Sequence, residues 1–301
     1  MSFQAAIVRF YLRRTFKKKN DGSSAAALRD NVATLVRRMP KPPRGVTVTP
    51  TDAGGVPAEW VAAPNAVDGR AILYCHGGGY ASGSPASVRD LAWRLSKASR
   101  SRLLVLDYRL APEHPFPAAV DDVTTAYRHL LANGFDPGSI AFAGDSAGGG
   151  LALGSLVKLR DEGAPMPAAA CGFSPVTDLA LTGESATANS EADPMIRMDA
   201  IRPTVEWYLN GAPATTPYAS PLYADLRGLP PTLIHVGSTE VFLDDSRRIA
   251  ERMKAAGVDV TLRIWPDMPH TFQGFAIFVP EARESIAEAG QFLDRHLGGP
   301  A

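Results

Sequence analysis

The chain of 301 residues is 45% hydrophobic and 21% charged, which is typical of a globular protein large enough to bury a sizeable core. Its 31 lysine and arginine residues equal its 31 aspartate and glutamate residues in number, so no net field would draw it to nucleic acid. It has no run of about 18 apolar residues and only two cysteines, Cys75 and Cys171, and we expect no secretory signal at its N-terminus. We therefore expect a cytoplasmic protein without stable membrane insertion, with both thiols in its core.

The first forty residues predict two helices. Four apolar residues of the first helix fall near helical spacing: Phe3, Ile7, Phe10 and Tyr11. Five cations crowd its end: Arg13, Arg14, Lys17, Lys18 and Lys19. Cations stabilise a helix C-terminus through the macrodipole, so a solvated helix end explains them. A helix lying on a membrane surface is the alternative. The second helix is predicted from Ala25 to Arg38, where prolines stop it.

Strands alternate with helices in the rest of the chain. Eight strands are predicted at 46–50, 58–63, 71–75, 103–107, 139–143, 168–173, 232–237 and 259–264. Helices are predicted at 87–99, 118–131, 151–160, 199–209, 245–256 and 281–297. Continuous apolar strands that alternate with helices predict an α/β fold, with a mostly parallel eight-stranded sheet covered on both faces. The last strand is expected at a sheet edge, which a homodimer would cover.

An insertion interrupts this alternation between residues 178 and 217. The segment is rich in polar and small residues and contains a single helical stretch. Proline-rich stretches at 40–43 and 212–217 are natural hinges. We therefore predict a helical cap built from residues 1–45 and 179–217, over a main domain built from residues 46–178 and 218–301.

A serine stands at a sharp turn between a strand and a helix. The sequence Gly144-Asp145-Ser146-Ala147-Gly148 follows an apolar strand and precedes a helical pattern. Gly-x-Ser-x-Gly by itself is a weak signal, but in this setting it is the nucleophile elbow of the α/β-hydrolases. The turn exposes the hydroxyl of Ser146 and directs the N–H of Ala147 to the position of an oxyanion. We interpret Asp145 as a structural carboxylate.

A glycine loop follows the strand at 71–75. In His76-Gly77-Gly78-Gly79, the N–H groups of Gly77 and Gly78 are predicted to complete an oxyanion hole. A phosphate-binding loop is the alternative. It is disfavoured because the lysine and hydroxyl of a P-loop are absent and the dinucleotide-binding spacing is not met.

The remaining groups of a serine hydrolase are a histidine base and an acid. The chain contains six histidines: His76, His114, His129, His235, His270 and His296. His270 alone follows both a strand and a breaker-rich loop after the serine, in the hydrolase order of serine, acid and histidine. Two acids follow the preceding strand. We favour Glu240 as the triad acid because it is nearest the strand end. Asp244, one helical turn later, is the alternative, although it also suits the first turn of the next helix.

Together these motifs resemble the bacterial hormone-sensitive-lipase family of carboxylesterases. The resemblance implies the α/β-hydrolase fold with a helical cap, Ser146 as nucleophile, His270 as base, and Gly77, Gly78 and Ala147 as oxyanion donors. Most members have Asp-Pro-Leu at the acid position. This chain instead has Glu240-Val241-Phe242, which resembles the glutamate-using branch.

The sequence thus predicts a serine carboxylesterase that hydrolyses small, short-acyl esters through an acyl-enzyme. No metal, organic cofactor or nucleic-acid partner is implied. An amidase or deacetylase could use the same triad. A non-catalytic small-molecule receptor on the same fold is the alternative from another class, although such a receptor would be expected to lack a triad member.

Overall fold

The structure, a computed structural model, describes residues 1–19 and 24–298. The strands in these residues are β1 (Thr47–Asp52), β2 (Pro57–Ala62), β3 (Ala71–Cys75), β4 (Arg102–Leu106), β5 (Ile140–Asp145), β6 (Ala169–Phe173), β7 (Thr232–Gly237) and β8 (Val260–Trp265). They form one eight-stranded sheet in the order β1-β2-β4-β3-β5-β6-β7-β8. Antiparallel pairing is confined to β1 with β2 and β2 with β4. The predicted mostly parallel eight-stranded sheet is confirmed, and β8 lies at an edge as expected.

The helices are α1 (Phe3–Lys19), α2 (Ala25–Val36), α3 (Arg89–Ser99), α4 (Ala118–Ala132), α5 (Ala147–Asp161), α6 (Ser185–Ala188), α7 (Met198–Leu209), α8 (Leu243–Ala255) and α9 (Pro280–His296). The four-residue α6 was not predicted, and α5 begins four residues before the predicted start. Three consecutive glycines follow Ala147 in the first turn of α5, although glycine is a poor helix former. A Cβ added at Gly148 would lie 2.1 Å from the carbonyl oxygen of Cys75, so close backbone packing outweighs propensity there.

Both faces of the sheet are covered, as predicted. One core cluster joins strand residues such as Leu73 and Leu104 to α4, α5 and α8. The other joins Ile72 and Tyr74 to α3 and α9. Neighbouring residues of a strand point to opposite faces, and β3 is buried throughout, which is why its sequence is continuously apolar.

The parallel register brings several strand ends together. Gly144 of β5 lies opposite Cys75 of β3 and Gly172 of β6. The turn after β5 therefore projects between the loops that follow β3 and β6. Ligands in open α/β sheets gather at this carboxyl edge.

The helical segments outside the sheet layers contact loops at the same edge. Arg29 of α2 donates hydrogen bonds to the carbonyl oxygens of Ala81 and Ala111, which follow β3 and β4. Tyr208 of α7 stacks on Tyr80, with ring centroids 3.8 Å apart. Across the described ranges, no helix is both long and apolar enough to span a bilayer.

Candidate active site

Ser146 occupies a sharp turn between β5 and α5. Its φ of 54° and ψ of −125° place a non-glycine residue in a sparsely populated backbone region. The neighbouring strand β6 stabilises this conformation, because the Ser146 N–H donates to the carbonyl oxygen of Phe173 at 2.8 Å. The carbonyl oxygen of Ser146 accepts from the N–H of Val176 at 3.0 Å. The turn thus has the geometry that the elbow motif predicts.

The hydroxyl of Ser146 is one end of a continuous hydrogen-bonded chain. Its Oγ lies 2.8 Å from Nε2 of His270, and Nδ1 of His270 lies 2.7 Å from Oε2 of Glu240. The structure therefore brings together three groups that are 124 and 30 positions apart in the sequence. A hydroxyl, an imidazole and a carboxylate in this order can generate a nucleophilic alkoxide.

The other acid that the sequence left open lies elsewhere. Asp244 is in the first turn of α8, where its Oδ2 accepts a hydrogen bond from the N–H of Ser185 at 2.8 Å. Its Oδ1 lies 3.5 Å from Nη1 of Arg247. No contact joins Asp244 to His270 among the described residues, so geometry favours Glu240 of the two acids.

The carboxylate of Glu240 is buried and held by further donors. Its Oε1 accepts from the hydroxyl of Ser174 at 2.7 Å and from the N–H of Gly237. These bonds occupy one oxygen and leave Oε2 for His270. Because buried carboxylates require hydrogen-bond donors, these contacts hold the Glu240 side chain in place beside His270.

Four residues at the end of β6 and just after it contact two members of the hydrogen-bonded chain, Ser146 and Glu240, and the residue next to the third. Phe173 and Val176 bond to the backbone of Ser146, as described above. Between them, the hydroxyl of Ser174 donates to Glu240 and accepts from the N–H of Thr271, next to His270, at 3.2 Å. We call residues 173–176 the shared turn.

Two side chains of the insertion hold the backbone around Glu240, and neither was predicted from the sequence. The amide of Asn189 donates to the carbonyl oxygen of Glu240 at 2.8 Å. Buried Asp193 accepts from the N–H of Val241 at 3.1 Å through Oδ2 and from the N–H of Met195 at 2.8 Å through Oδ1. We call residues 189–193 the bracing segment.

Helix α1 contacts the other side of the bracing segment. Nζ of Lys17 donates to the carbonyl oxygens of Ser190 at 2.5 Å and Asp193 at 2.9 Å. Nη2 of Arg13 donates to the carbonyl oxygen of Glu191 at 3.2 Å. A cavity of about 450 Å³ lies between this end of α1 and the insertion, and its lining includes none of Ser146, His270 and Glu240.

The charges around His270 favour its protonated form. Burial alone lowers the pKa of His270, but the hydrogen bond and charge of Glu240, with the charges of Asp193 and Asp145, outweigh burial. The net effect is a pKa raised above the ordinary value of histidine. The imidazolium that forms when Ser146 loses its proton is thereby stabilised.

The glycine loop supplies free N–H groups, but not in the predicted combination. The N–H of Gly77 donates to Oδ1 of Asp145 at 3.0 Å, so this predicted oxyanion donor already has a partner. The N–H groups of Gly78, Gly79 and Ala147 make no hydrogen bond within the part of the chain that the structure describes. The motif located the loop correctly, but the direction of each N–H depends on local backbone angles.

Asp145 has the contacts of a structural carboxylate, as interpreted from sequence. Its Oδ1 also accepts from the hydroxyl of Tyr74 at 2.9 Å. Burial raises the pKa of Asp145 to about 6, although the bonds from Tyr74 and Gly77 oppose this rise. The carboxylate thus links the strand end, the glycine loop and the elbow.

The buried ring of His76 contacts the glycine loop. Its Nδ1 lies 2.8 Å from the carbonyl oxygen of Gly77, and its ring stacks on Tyr108 with centroids 4.3 Å apart. Burial lowers the pKa of His76 to about 4, so the ring is neutral near pH 7. His235 is also buried, bonded to the hydroxyl of Ser285. Neither ring contacts Ser146.

Cysteines and possible metal ligands were compared across the residues that the structure describes. Both cysteines are buried and unpaired with each other, and burial raises the pKa of each thiol. Among residues 1–19 and 24–298, no group of three or more histidine, cysteine or acidic side chains could hold a metal ion.

Comparisons with known proteins identify the family to which the chain is similar. A family profile described as the alpha/beta hydrolase fold matches residues 72–274. An acetyl-hydrolase of Streptomyces hygroscopicus is 47% identical over 256 residues, which cover 85% of this chain and 84% of that protein. The crystal structure of EstE5 soaked with p-nitrophenyl butyrate has 43% identity and a TM-score of 0.94, over 99% of both chains. An esterase of the bacterial hormone-sensitive lipase family has 43% identity and a TM-score of 0.93, also over 99% of both chains.

Proposed function

The chain belongs to the bacterial hormone-sensitive-lipase family of α/β-hydrolases and is a carboxylic ester hydrolase, and from this premise we propose that it hydrolyses short-acyl esters through a Ser146-His270-Glu240 triad. The observation that carries the proposal is the unbroken hydrogen-bonded chain from the Ser146 hydroxyl to the Glu240 carboxylate. The short-acyl preference is supported by the acetyl-hydrolase relative and by the butyrate ester soaked into EstE5.

The reaction proceeds in two halves. In the first, Oγ of Ser146 attacks the ester carbonyl carbon while Nε2 of His270 accepts the hydroxyl proton. The tetrahedral intermediate collapses, and the leaving alcohol takes that proton from His270 as the acyl-enzyme forms. In the second half, water attacks the acyl carbon and gives a proton to His270. The second tetrahedral intermediate then collapses, the bond from the acyl carbon to Oγ of Ser146 breaks as Oγ takes that proton from His270, and the carboxylic acid leaves. Glu240 stays ionised throughout and holds the imidazole in the required tautomer.

Three backbone N–H groups stabilise the oxyanion in this proposal. Gly78 and Ala147 are kept from the sequence prediction, and Gly79 takes the place of Gly77. Supporting this revision, the Gly77 N–H is bonded to Asp145, whereas the other three have no partner within the described ranges. Preorganised donors of this type commonly make the largest single contribution to acyl transfer.

Residues 1–45 and 179–217 form the cap in the proposal, over a catalytic domain of residues 46–178 and 218–301. The contacts of α2 and α7 with the carboxyl edge of the sheet support these boundaries. A homodimer paired through β8 is proposed as the assembly, since β8 is an edge strand on which Ile264 is 39% exposed. Light scattering that gives the mass of a monomer, 32.0 kDa, would rule out the dimer.

The decisive experiment is hydrolysis of p-nitrophenyl esters by the purified protein and by Ser146→Ala. We expect the variant to lose about 10⁶-fold in kcat, because the nucleophile is absent while the fold is unchanged. An acyl series from acetate to laurate should show the highest kcat/KM for the shortest chains. Wild-type-like turnover by Ser146→Ala would contradict the proposal, and faster cleavage of matched anilides than of esters would reassign the enzyme as an amidase.

A further inference from the structure

Helix α1 has two apolar faces, and only one of them packs against the protein. Ala5 and Leu12 lie on the inner face and are 2% and 3% exposed. The outer face carries four large apolar side chains that are between 52% and 78% exposed: Phe3, Ile7, Phe10 and Tyr11. We call these four residues the outer face of α1.

The spacing of these residues makes the outer face continuous. Positions 3, 7, 10 and 11 fall on one side of a helix with 3.6 residues per turn. The stripe is about 12 Å long at a rise of about 1.5 Å per residue. Scattered single apolar residues on a surface are ordinary, but an aligned set of this size marks an interaction surface.

The charge of residues 1–19 indicates what kind of surface would bind the outer face of α1. Residues 1–19 contain six cations, namely Arg9, Arg13, Arg14, Lys17, Lys18 and Lys19, and no acidic residue. The whole protein is neutral, so this excess is local. The guanidinium of Arg14 lies 4.7 Å from the ring centre of Phe10, directly beside the outer face.

Of the four cations of α1 whose side chains the structure describes, three form no ion pair with a carboxylate. The hydrogen bonds of Arg13 and Lys17 go to backbone carbonyl oxygens of the bracing segment, which satisfy the donors without cancelling their charge. Arg9 is the exception, with Oδ1 of Asp267 at 3.5 Å. An apolar face beside uncompensated cations is complementary to a surface that is apolar beneath a layer of negative charge.

We propose that the outer face of α1 is the docking site for an anionic lipid bilayer. The helix lies in the plane of the interface. The rings of Phe3, Phe10 and Tyr11 lie among the acyl chains, and the guanidinium of Arg14 lies at the level of the phosphates. This site is separate from the triad and does not depend on its chemistry. It adds to the proposed function a location where ester substrates partition.

The test is flotation with vesicles, using the full-length protein and phosphatidylcholine vesicles with or without an equal amount of phosphatidylglycerol. Wild type should float with the anionic vesicles, and raising the salt from about 0.05 M to about 0.5 M should weaken binding. Phe3→Ser with Phe10→Ser should reduce the partition coefficient at least about tenfold. Arg14→Glu reverses one charge and should reduce it at least about fivefold.

Leu35→Ser is the matched control, because Leu35 is 53% exposed on α2, outside the outer face. It should bind vesicles like wild type. All variants should keep wild-type hydrolysis of dissolved p-nitrophenyl acetate, which shows that they are folded and separates this test from that of the triad. Failure of the wild type to float with anionic vesicles would overturn the proposal. So would a Phe3→Ser, Phe10→Ser variant that binds like wild type, or one that converts a wild-type dimer into a monomer, since a second copy would then cover the face.

Discussion

The turn that carries Ser146 and the loop that carries Glu240 are held by different kinds of contact. Around Ser146 the contacts are between backbones. A Cβ at Gly148 would meet the carbonyl oxygen of Cys75 at 2.1 Å, and the Ser146 N–H bonds to the next strand. Around Glu240 the contacts come from side chains, chiefly Ser174 and, from the insertion, Asn189 and Asp193.

The difference determines which changes each region tolerates. Backbone packing between adjacent elements leaves no space for a larger side chain. A substitution that enlarges a residue of the elbow is therefore expected to reduce the stability of the whole fold. Side-chain bonds from a distant segment can be removed one at a time. Damage to the acid loop should therefore reduce activity in steps while the fold persists. Four predictions test this contrast, in decreasing order of effect.

The largest effect is expected at the acid. Glu240→Gln should reduce kcat about 10⁴-fold, because the amide no longer holds the imidazole in the required tautomer or stabilises its charge. Asp244→Asn, which changes an acid one helical turn later, should stay within about threefold of wild type. The measurement is steady-state hydrolysis of p-nitrophenyl acetate. Near-normal activity of Glu240→Gln would transfer the role to another acid.

The next largest effect concerns stability at the elbow. Gly148→Ala should lower the free energy of unfolding by about 3 kcal/mol, since the methyl group must displace backbone atoms of Cys75 and His76. Gly274→Ala is the control, because a Cβ there meets nothing within 4 Å. Thermal unfolding should separate the two variants by several degrees. Equal melting temperatures would show that the elbow accommodates the methyl group.

A smaller loss is expected in the bracing segment. In Asp193→Asn the side-chain amide can accept through only one atom, so either Val241 or Met195 loses its acceptor and the Glu240 loop loosens. We expect kcat/KM to fall about tenfold, equivalent to about 1.4 kcal/mol, with little change in melting temperature. Asp199→Asn, an exposed acid of the same insertion, should behave like wild type. A melting temperature that falls in proportion to activity would contradict a positioning role.

The smallest effect is a shift in pH dependence. His270 must be neutral to accept a proton, and its pKa is raised, so activity should be lost as the pH falls through a midpoint above the ordinary histidine value of about 6.5. Asp193→Asn removes one charge that raises this pKa, and its midpoint should move to lower pH by less than about one unit. The measurement is kcat/KM from about pH 5 to pH 9. An unchanged midpoint would mean that the charge of Asp193 does not affect the pKa of His270.

The same contrast explains what the sequence could predict. The eight strands, the edge position of the last strand and the elbow turn follow from periodicity and from motifs of a few consecutive residues, and these predictions agree with the structure. The proposed positions of Ser146 and His270 depend on chain order relative to strands, which is also local information. The preference for Glu240 over Asp244 had only the position nearest the strand end to support it, because both acids follow the same strand.

Contacts between distant segments were beyond prediction. Asn189 and Asp193 lie in a polar insertion with no periodic pattern, and their partners are 48 to 51 positions away. The start of α5 was placed too late because glycine propensity was given more weight than tertiary packing. Gly77 was taken as an oxyanion donor because a glycine motif identifies a loop and not the orientation of each N–H.

The shared turn at residues 173–176 has a consequence for thermal motion. The turn is bonded through its backbone to Ser146 and through the hydroxyl of Ser174 to Glu240 and to Thr271 beside His270. We therefore expect a displacement of the turn to move the three groups in the same direction. The distances between these three groups should then vary less than the position of each group within the molecule. Proton transfer requires only that those relative distances be kept, so the reacting groups can remain aligned while the surrounding loops vibrate.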